Sequence, residues 1–341
     1  MIEKILFYRT SSLLPWPNQA LEAWFTEIAK PGQLIFYLWQ NDHTVVIGRN
    51  QDALAECLAD ELEESGGYLA RRLSGGGAVY HDQENLNFTF ALHEDDYDTL
   101  RQTDVILSAV KALGIEAERT GRNDLTIDGR KFSGHSYYRH KKSRFHNGTL
   151  MVQTDTAKMQ RYLTVSPDKL NANRVQSVRS RVINLREAAP DLTVDALAQA
   201  LREALQTVYC VEAEDFSPAD FDWQRIEFWE RFFTDRDWRF GRDGLDRSGV
   251  WQAEQRFGWG KIALRFTPRN NCVTEPLIVS DALEASWLAE LTERWTGLPA
   301  RCSALCDAVA VMAEAAEADV RAPEMRTDII ELLKTMPWPE N

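Results

Sequence analysis

Cysteine is scarce here: five residues among 341, odd in number and scattered, which gives no disulfide framework. No run of about 18 apolar residues occurs, which excludes a membrane-spanning helix. The opening stretch Met1–Pro17 has no basic flank, apolar core and small-residue cleavage site in sequence, and Glu3, Pro15 and Pro17 interrupt it. It does not read as a secretion signal, and the expected address is cytoplasmic. Positive charge is also short. Lys plus Arg number 39 against 52 for Asp plus Glu, a net charge of −13, which argues against a general binder of nucleic acid or anionic membrane. Internal repeats and low-complexity segments are lacking. Against these absences, 44% hydrophobic and 27% charged residues describe an ordinary folded chain, and its length exceeds what one core serves, so two domains are expected.

The charge deficit is uneven. Between Gly129 and Arg181 twelve bases face two acids, Asp155 and Asp168, so this segment is +10 inside a chain whose remainder is −23. Such a segment is either a solvated basic face paired with acidic neighbours or a site for phosphates, an acidic protein partner, or both.

Leu34–Trp39 and Thr44–Ile47 are short, apolar and rich in β-branched or aromatic residues, which predicts strands. Residues 86–92 alternate, with Leu86, Phe88, Phe90 and Leu92 on one side and Asn87, Thr89 and Ala91 on the other, the pattern of a half-buried antiparallel strand. A helix capped by Thr103 or Asp104 is expected to bury Val105, Ile106, Ala109, Val110 and Leu113 and to stop at Gly114. Asp128-Gly129 signals a two-residue hairpin, because both turn positions want positive φ. Thr149–Gln153 reads as a strand, and a helix starting near Thr193 buries Leu197, Leu201, Leu205 and Val208. From about residue 215 the texture changes to Trp, Phe, Arg and Asp. Further on, 261–266 alternates like a strand, and Asp281 to Trp295 opens with an Asp-x-x-Glu capping box. The fold class expected is α+β, a mixed, largely antiparallel sheet flanked by helices. The expected division is a unit over 1–246, a linker over 247–254 and a small α+β unit over 255–341.

The densest chemical signal is Arg71-Arg72-Leu73-Ser74-Gly75-Gly76-Gly77-Ala78-Val79-Tyr80-His81-Asp82. Glycines without Cβ atoms let a ligand lie against the backbone amides, and two arginines add fixed positive charge for phosphate or carboxylate. The spacing is neither that of a P-loop nor that of a dinucleotide fingerprint. The second signal is Gly121–Gly134. Its hairpin brings Asn123 and Asp124 near Lys131 and Ser133, gathering acid, amide, ammonium and hydroxyl at one strand end. An ammonium there neutralises charge on an α-phosphate and on a carboxylate attacking it, and Asp124 can offer an oxygen ligand to Mg²⁺. The third comprises His146-Asn147-Gly148-Thr149-Leu150 and, downstream, Ser177 to Leu185, in which Arg179 and Arg181 point the same way if extended. His146 alone reads as a hydrogen-bonded structural histidine.

Taken together, the RRLSGGGAVYHD loop, the GRNDLTIDGRKFSG hairpin, the HNGTL strand start and the SVRSRVINL segment resemble the lipoate–protein ligases of the biotin/lipoate protein ligase superfamily. Asn18-x-Ala20-x-Glu22 resembles the first helix of that family. The resemblance runs through four motifs to about residue 185 and adds a C-terminal accessory domain. It implies an enzyme that activates lipoate with Mg-ATP to lipoyl-adenylate and pyrophosphate. The lipoyl group then passes to a lysine of apo lipoyl domains, in 2-oxoacid dehydrogenase complexes and the glycine cleavage H protein. By the same resemblance Lys131 is the catalytic lysine. Arg72, Gly77, Ala78, Val79, Tyr80, Asn123, Asp124 and Lys131 bind ATP and the adenylate, and Arg72, Lys131, Ser133 and His146 bind lipoate. Asp124 is the implied Mg²⁺ ligand. Neither nucleic acid nor membrane is expected as a partner.

The chain departs from the family at Asn147, where a second histidine is common, and at His135, where Ser or Asn follows Ser-Gly. An octanoyltransferase of the same superfamily is the strongest rival; the version closest to ligases uses a cysteine nucleophile, and Cys57, Cys210, Cys272, Cys302 and Cys306 all fall outside 58–209. Biotin ligase fits less well, because its glycine loop is arginine-rich. A non-catalytic module for acidic domains would use the +10 segment without needing the glycine loop and Lys131 together. Cys302 and Cys306 are expected to share a helix face, without the further ligands of a zinc site. The Gly/Asp/Arg-rich connection near residue 245 suggests that the C-terminal unit swings between half-reactions.

Overall fold

The chain was analysed as a computed structural model, which describes residues 1–121, 123–163, 181–241, 251–312, 322–336 and 338. Arg122, Arg174, Arg179, the first four residues of the SVRSRVINL segment and the connection over 242–250 lie outside the described residues.

Eight strands build the main sheet. In chain order they are β1 (Lys4–Arg9), β2 (Gln33–Trp39), β6 (Asn85–His93), β7 (Glu118–Thr120), β8 (Asp124–Ile127), β9 (Arg130–His140), β10 (Ser143–Met151) and β11 (Ala213–Asp215). Their spatial order is β11-β1-β2-β6-β10-β9-β8-β7, parallel only where β1 meets β11 and β2. A smaller sheet sets β3 (Thr44–Ile47) between β4 (Tyr68–Arg71) and β5 (Val79–His81). A third, antiparallel sheet, β12 (Trp251–Phe257), β13 (Gly260–Arg269) and β14 (Cys272–Ser280), belongs to the C-terminal unit. The helices used below are numbered α1 (Pro15–Ile28), α2 (Thr99–Ala112), α3 (Thr156–Tyr162), α4 (Val194–Tyr209), α5 (Trp223–Thr234), α6 (Arg236–Phe240), α7 (Ala285–Trp295), α8 (Cys302–Ala310) and α9 (Ala322–Lys334). This is the mixed α+β class with a largely antiparallel sheet.

One face of the main sheet carries Leu86, Phe88, Phe90 and Leu92 into a core closed by α2 and α4 through Val105, Ile106, Leu197, Leu201 and Leu205. The alternation of β6 is therefore as expected, but its other face is buried too. Helix α1 covers it, so Asn87, Thr89 and Ala91 are as enclosed as the apolar side. The second core joins α1 to α5 through Trp24, Phe25, Tyr37, Phe221 and Phe233. The third lies within the C-terminal unit, from Trp259 to Met336.

Local expectations differ from the structure at three helix or strand starts. Helix α2 begins one turn early, capped by Asp98, whose carboxylate accepts from the amides of Leu100 and Arg101, so Thr103 and Asp104 are interior. Helix α7 begins at Ala285 rather than at Asp281. The Asp281 carboxylate accepts instead from the Lys261 amide at 2.6 Å, tying the end of β14 to β13. Strand β10 starts six residues before Thr149, because its whole length pairs with β6 and most of it with β9. The hairpin is as predicted: Asp128 and Gly129 have φ of 50° and 72° and join β8 to β9. Among the described residues no helix is long and apolar enough to cross a membrane.

Candidate active site

A cavity of about 130 Å³ opens between the main sheet and the small sheet. Glu22 of α1, Trp39 of β2, Arg72 and the glycine loop, Asn123, Lys131, and the facing runs Gly134–Ser136 and Asn147–Thr149 contribute to its wall.

The open end is built by the β8–β9 hairpin. Register pairs Asp124 with Gly134, and the Lys131 Nζ reaches the Asp124 Oδ1 at 2.7 Å, with both side chains about a third exposed. Lys131 reaches this position by folding back over Gly134, where an added Cβ would stand 2.6 Å from its Nζ. Its backbone is pinned on both sides, donating to the Arg181 carbonyl at 2.7 Å and accepting from the Ile183 amide at 2.9 Å. Asn123 is held by exchange with His135: its amide donates to the His135 carbonyl at 2.9 Å, and its own carbonyl accepts the His135 amide at 2.8 Å.

The closed end lies along β9 and β10. Ser136 is two residues past Gly134, hence about 7 Å further along the strand. Ser136 bonds the Ser74 hydroxyl at 2.8 Å and donates to Asn147 Oδ1 at 2.5 Å. The Asn147 amide donates to Glu22 Oε1 at 2.8 Å, which also accepts the Thr89 hydroxyl at 2.7 Å. Glu22 is 2% exposed, and burial raises its pKa to about 7 against the opposing effects of these two bonds and of Arg72.

The adjacent arginines divide their work. Arg72 points into the cavity wall. It donates to the carbonyls of Gly75 (2.5 Å), Gly77 (2.8 Å) and Val46 (3.2 Å), and burial lowers its pKa to about 10. Arg71 instead donates to the carbonyls of Trp238 (2.7 Å), Arg49 (3.0 Å) and Gln51 (2.5 Å), fastening α6 to the small sheet. Gly76 takes φ of 87°, and its amide donates to the Ala282 carbonyl at 2.9 Å, so the C-terminal unit is seated on the loop. A Cβ on Gly75 would run into that same carbonyl.

Of the residues singled out in the sequence, Arg72, Gly77, Ala78, Val79, Asn123 and Lys131 line the cavity together. Asp124 joins them through Lys131. The Tyr80 side chain turns away, its hydroxyl 3.0 Å from His43 Nδ1. Ser133 and His146 stand one layer behind the wall, at either side of His135. Ser133 Oγ lies 3.0 Å from His135 Nε2, His135 Nδ1 lies 2.9 Å from His146 Nε2, and His146 Nδ1 lies 2.8 Å from Gln102 Oε1. Burial holds both histidines neutral, His135 down to about 3 and His146 well below its ordinary value. Wall residues to which the sequence reading gave no binding role include Glu22, Trp39, His81, Asn87, Ser136 and Asn147. The polar side of β6, occupied by Asn87 and Thr89, was the available signal: polar residues on a central strand mark a face that meets something other than an apolar core.

Among the described residues no cysteine lines this cavity. Cys57 is buried in a cluster with Val45, Ile47 and Leu62, and burial pushes its thiol up to about 12.

Comparison with known proteins agrees with this architecture. Residues 15–206 match the lipoyl protein ligase A/B catalytic domain family. The chain is 37% identical over 299 residues to lipoate-protein ligase A of Psychrobacter cryohalolentis, covering 85% of this chain and 87% of that protein. It is 35% identical over 316 residues to that of Bdellovibrio bacteriovorus, covering 90% and 92%. Among solved structures, P. falciparum LipL1 in complex with lipoate superposes with a TM-score of 0.77 at 24% identity, over 96% of this chain and 99% of that one. A lipoate-protein ligase A bound with ATP gives 0.60 at 23% identity, over 71% and 99%. The structural likenesses carry the fold. With the family match across more than half of its length and relatives above 30% identity over most of it, the chain belongs to the lipoate–protein ligase family.

Proposed function

We propose that this chain joins lipoate to protein in two steps at the cavity just described. In the first, the lipoate carboxylate attacks the α-phosphorus of ATP and pyrophosphate leaves. In the second, the ε-amine of an acceptor lysine attacks the carbonyl of the lipoyl-adenylate, AMP leaves, and the amine gives up a proton. The observation that carries this reading is the Lys131 ammonium, folded over Gly134 and ion-paired with Asp124, on a cavity shared with Arg72 and the glycine loop. A fixed ammonium at the junction of carboxylate and phosphate offsets the charge that develops in both steps, and it costs no reorganisation as the reaction proceeds.

In this reading Arg72, Gly77, Ala78, Val79, Asn123 and Lys131 hold the nucleotide, with Tyr80 contributing backbone alone. Ser133 and His146 support the acyl chain from behind His135 rather than touching it. Among the described residues no group of three or more His, Cys, Asp or Glu is placed to hold a metal. One carboxylate, Asp124, together with phosphate oxygens nevertheless suits Mg²⁺, which is bound through few protein ligands and the substrate's own phosphates. When bound, the ion would neutralise phosphate charge. The Gly76 amide already donates to Ala282, so an adenylate drawing on that amide displaces the C-terminal unit. A single orientation of that unit with and without adenylate would count against its movement. The division into a catalytic unit to about 246 and an accessory unit from about 255 belongs to the same proposal. So do the acceptors, the lipoyl domains of 2-oxoacid dehydrogenase complexes and the glycine cleavage H protein, and a cytoplasmic address.

A thioester route through cysteine has no support at this cavity, where no thiol lines the wall among the described residues. The deciding experiment is the intact mass of an apo lipoyl domain after incubation with the protein, lipoate and Mg-ATP. A lipoyl adduct that needs ATP and is lost in Lys131→Ala is expected. Modification from octanoyl-carrier protein without ATP would overturn the ligase reading.

A further inference from the structure

Two side chains of the cavity wall carry a hydrogen-bond donor that no protein group accepts. They are His81 of β5 and Asn87 of β6, 3% and 1% exposed, and the free atoms are Nε2 and Nδ2. Buried donors are as a rule paired, so two on one wall mark a place for an acceptor from outside the chain. Their chemistry is set by what holds them. Asn18 Nδ2 donates to the backbone carbonyls of Ser12 (3.1 Å) and Gln40 (2.8 Å), and also to Asn41 Oδ1 at 3.0 Å. The other end of that second amide, Asn41 Nδ2, therefore donates to His81 Nδ1 at 3.2 Å. With Nδ1 accepting, the ring proton sits on Nε2 and makes the free atom a donor. Burial, reinforced by Arg72, lowers His81 to about 3, so the ring is neutral. In Asn87 the Oδ1 already accepts from Asn85 Nδ2 at 2.9 Å, which leaves its own Nδ2 hydrogens.

Strand register sets both donors across the cavity from Lys131. Asn87 is the cross-strand neighbour of Thr149 on β10, and Thr149 Oγ1 accepts from the Gly134 amide on β9 at 3.3 Å. The Lys131 ammonium lies over that same Gly134. Strands β6 and β9 flank β10, so they stand two strand spacings apart, about 10 Å. A carboxyl group held by one hydrogen bond on each of its oxygens spans about 8 Å from donor to donor. One such group therefore fits between the Asn87 amide and the Lys131 ammonium. On the other side of Asn87 stands Trp39, its cross-strand neighbour on β2, and the Trp39 indole meets the His81 ring edge-on at 6.1 Å. The two free donors thus share the side of the cavity opposite the ammonium. An oxygen satisfies them, whereas a methylene chain would leave both unpaired.

We infer that His81 Nε2–H and Asn87 Nδ2–H bind one oxygen of the substrate's carboxyl group and serve as oxyanion donors in the transfer step. This assignment rests on the ligase reading above. In activation the two donors hold one carboxylate oxygen, and the other, on the Lys131 side, attacks the α-phosphorus as pyrophosphate leaves. In transfer the held atom is the carbonyl oxygen of the adenylate. The acceptor amine forms its bond to the carbonyl carbon, and the C=O π pair moves onto that oxygen. The pair returns as the bond to AMP breaks, and the amine proton passes to water. Donors fixed in place beforehand stabilise this charge without reorganising.

The test supplies preformed lipoyl-adenylate and an apo lipoyl domain to the full chain and follows acyl transfer in a single turnover. His81→Phe, which keeps a ring beside Trp39, and Asn87→Ala are each expected to slow transfer about a hundredfold. The Kd of lipoyl-adenylate, measured without acceptor, is expected to change by less than about tenfold, the mark of an interaction made chiefly in the transition state. A second arm leaves the protein unaltered and replaces the carbonyl of the ligand by a methylene. This analogue is expected to bind at least about tenfold more weakly than lipoyl-adenylate, because it leaves both donors unpaired. Transfer at the unaltered rate in either variant, or a fall in rate matched by equal falls in affinity and Tm, would overturn the assignment. So would equal binding of the two ligands, which keeps the result decisive if a variant fails to fold. In each of those cases the ligase reading stands. Failure of the unaltered chain to transfer from lipoyl-adenylate would instead overturn that reading, and the assignment with it.

Discussion

The two ends of the cavity carry opposite charge arrangements and illustrate two ways of holding an ion. At the hairpin end, Lys131 and Asp124 form a direct pair at 2.7 Å, with both side chains about a third exposed. At the α1 end, Glu22 and Arg72 interact through space within the wall, and burial drives each toward its neutral form, to about 7 and about 10. Exposure thus leaves the hairpin pair open to substrate charge that arrives and leaves, with water screening it in the meantime. Enclosure makes the other end a hydrogen-bonding lining, with Asn147 and Thr89 donating to the Glu22 carboxyl group and Ser136 and Ser74 extending the network behind Asn147.

The comparison breaks most visibly if Lys131 is dispensable. Lys131→Ala is expected to lower lipoate-dependent pyrophosphate release by about a thousandfold, the upper range for losing one preorganised charge-stabilising group. Its fold should persist, since the side chain is partly exposed; loss of activity without unfolding is the outcome to check by circular dichroism. Glu22→Gln tests the other end and reads stability rather than rate. The Glu22 pKa is raised on folding, from 4.5 to about 7, so the folded state binds the proton more tightly. Its contribution is present below pH 4.5 and is lost as pH rises through 7, a cost of about 3 kcal/mol at pH 8. Glutamine keeps an oxygen for Thr89 and Asn147, so the variant is expected to flatten the fall in Tm between pH 5 and 8. An unchanged slope would show that Glu22 is not the titrating group.

The hairpin end was readable from the sequence and the α1 end was not, for a physical reason. Asp128-Gly129 dictates a turn of known geometry, which puts Asp124 and Lys131 on paired strands a few residues apart, opposite Gly134 and Thr126, within reach of a long side chain folded back over Gly134. Glu22, Thr89 and Asn147 come from a helix, a central strand and its neighbour, and they meet only because α1 lies across β6 and β10. No spacing rule spans such distances in the chain. For the same reason β6 read as half-buried: alternation records polarity, and here the polar side faces a buried network. Local signals also misled where a tertiary contact outbid them. Asp281 and Glu284 form a capping-box pattern, but the Asp281 carboxylate is taken by the Lys261 amide. Arg72, Asn123 and Lys131, named through the family motifs, line the cavity. Ser133 and His146 fell behind it, because His135 occupies the intervening position.

Gly134→Ala sharpens the comparison at its open end. The new Cβ would stand 2.6 Å from the Lys131 Nζ, the mobile tip of a flexible side chain, so lysine moves and the backbone does not. Activity is expected to fall about tenfold through misplaced charge while Tm changes little; a loss of Tm with unchanged kcat would argue that Gly134 serves folding alone. The smallest effect concerns salt. Arg130, Arg139, Lys141, Lys142, Lys158 and Arg161 belong to the basic segment and lie outside the buried core. Electrostatic attraction of an acidic acceptor domain should be screened as the Debye length shrinks from about 10 Å at 0.1 M salt toward 3 Å at 1 M. Transfer kcat/KM is therefore expected to drop severalfold over that range, through the association rate. The KM for lipoate in adenylation should respond less, because the groups at the closed end are shielded by protein rather than by ions. Equal salt dependence of both quantities would mean that the cavity's two ends do not differ as their burial indicates.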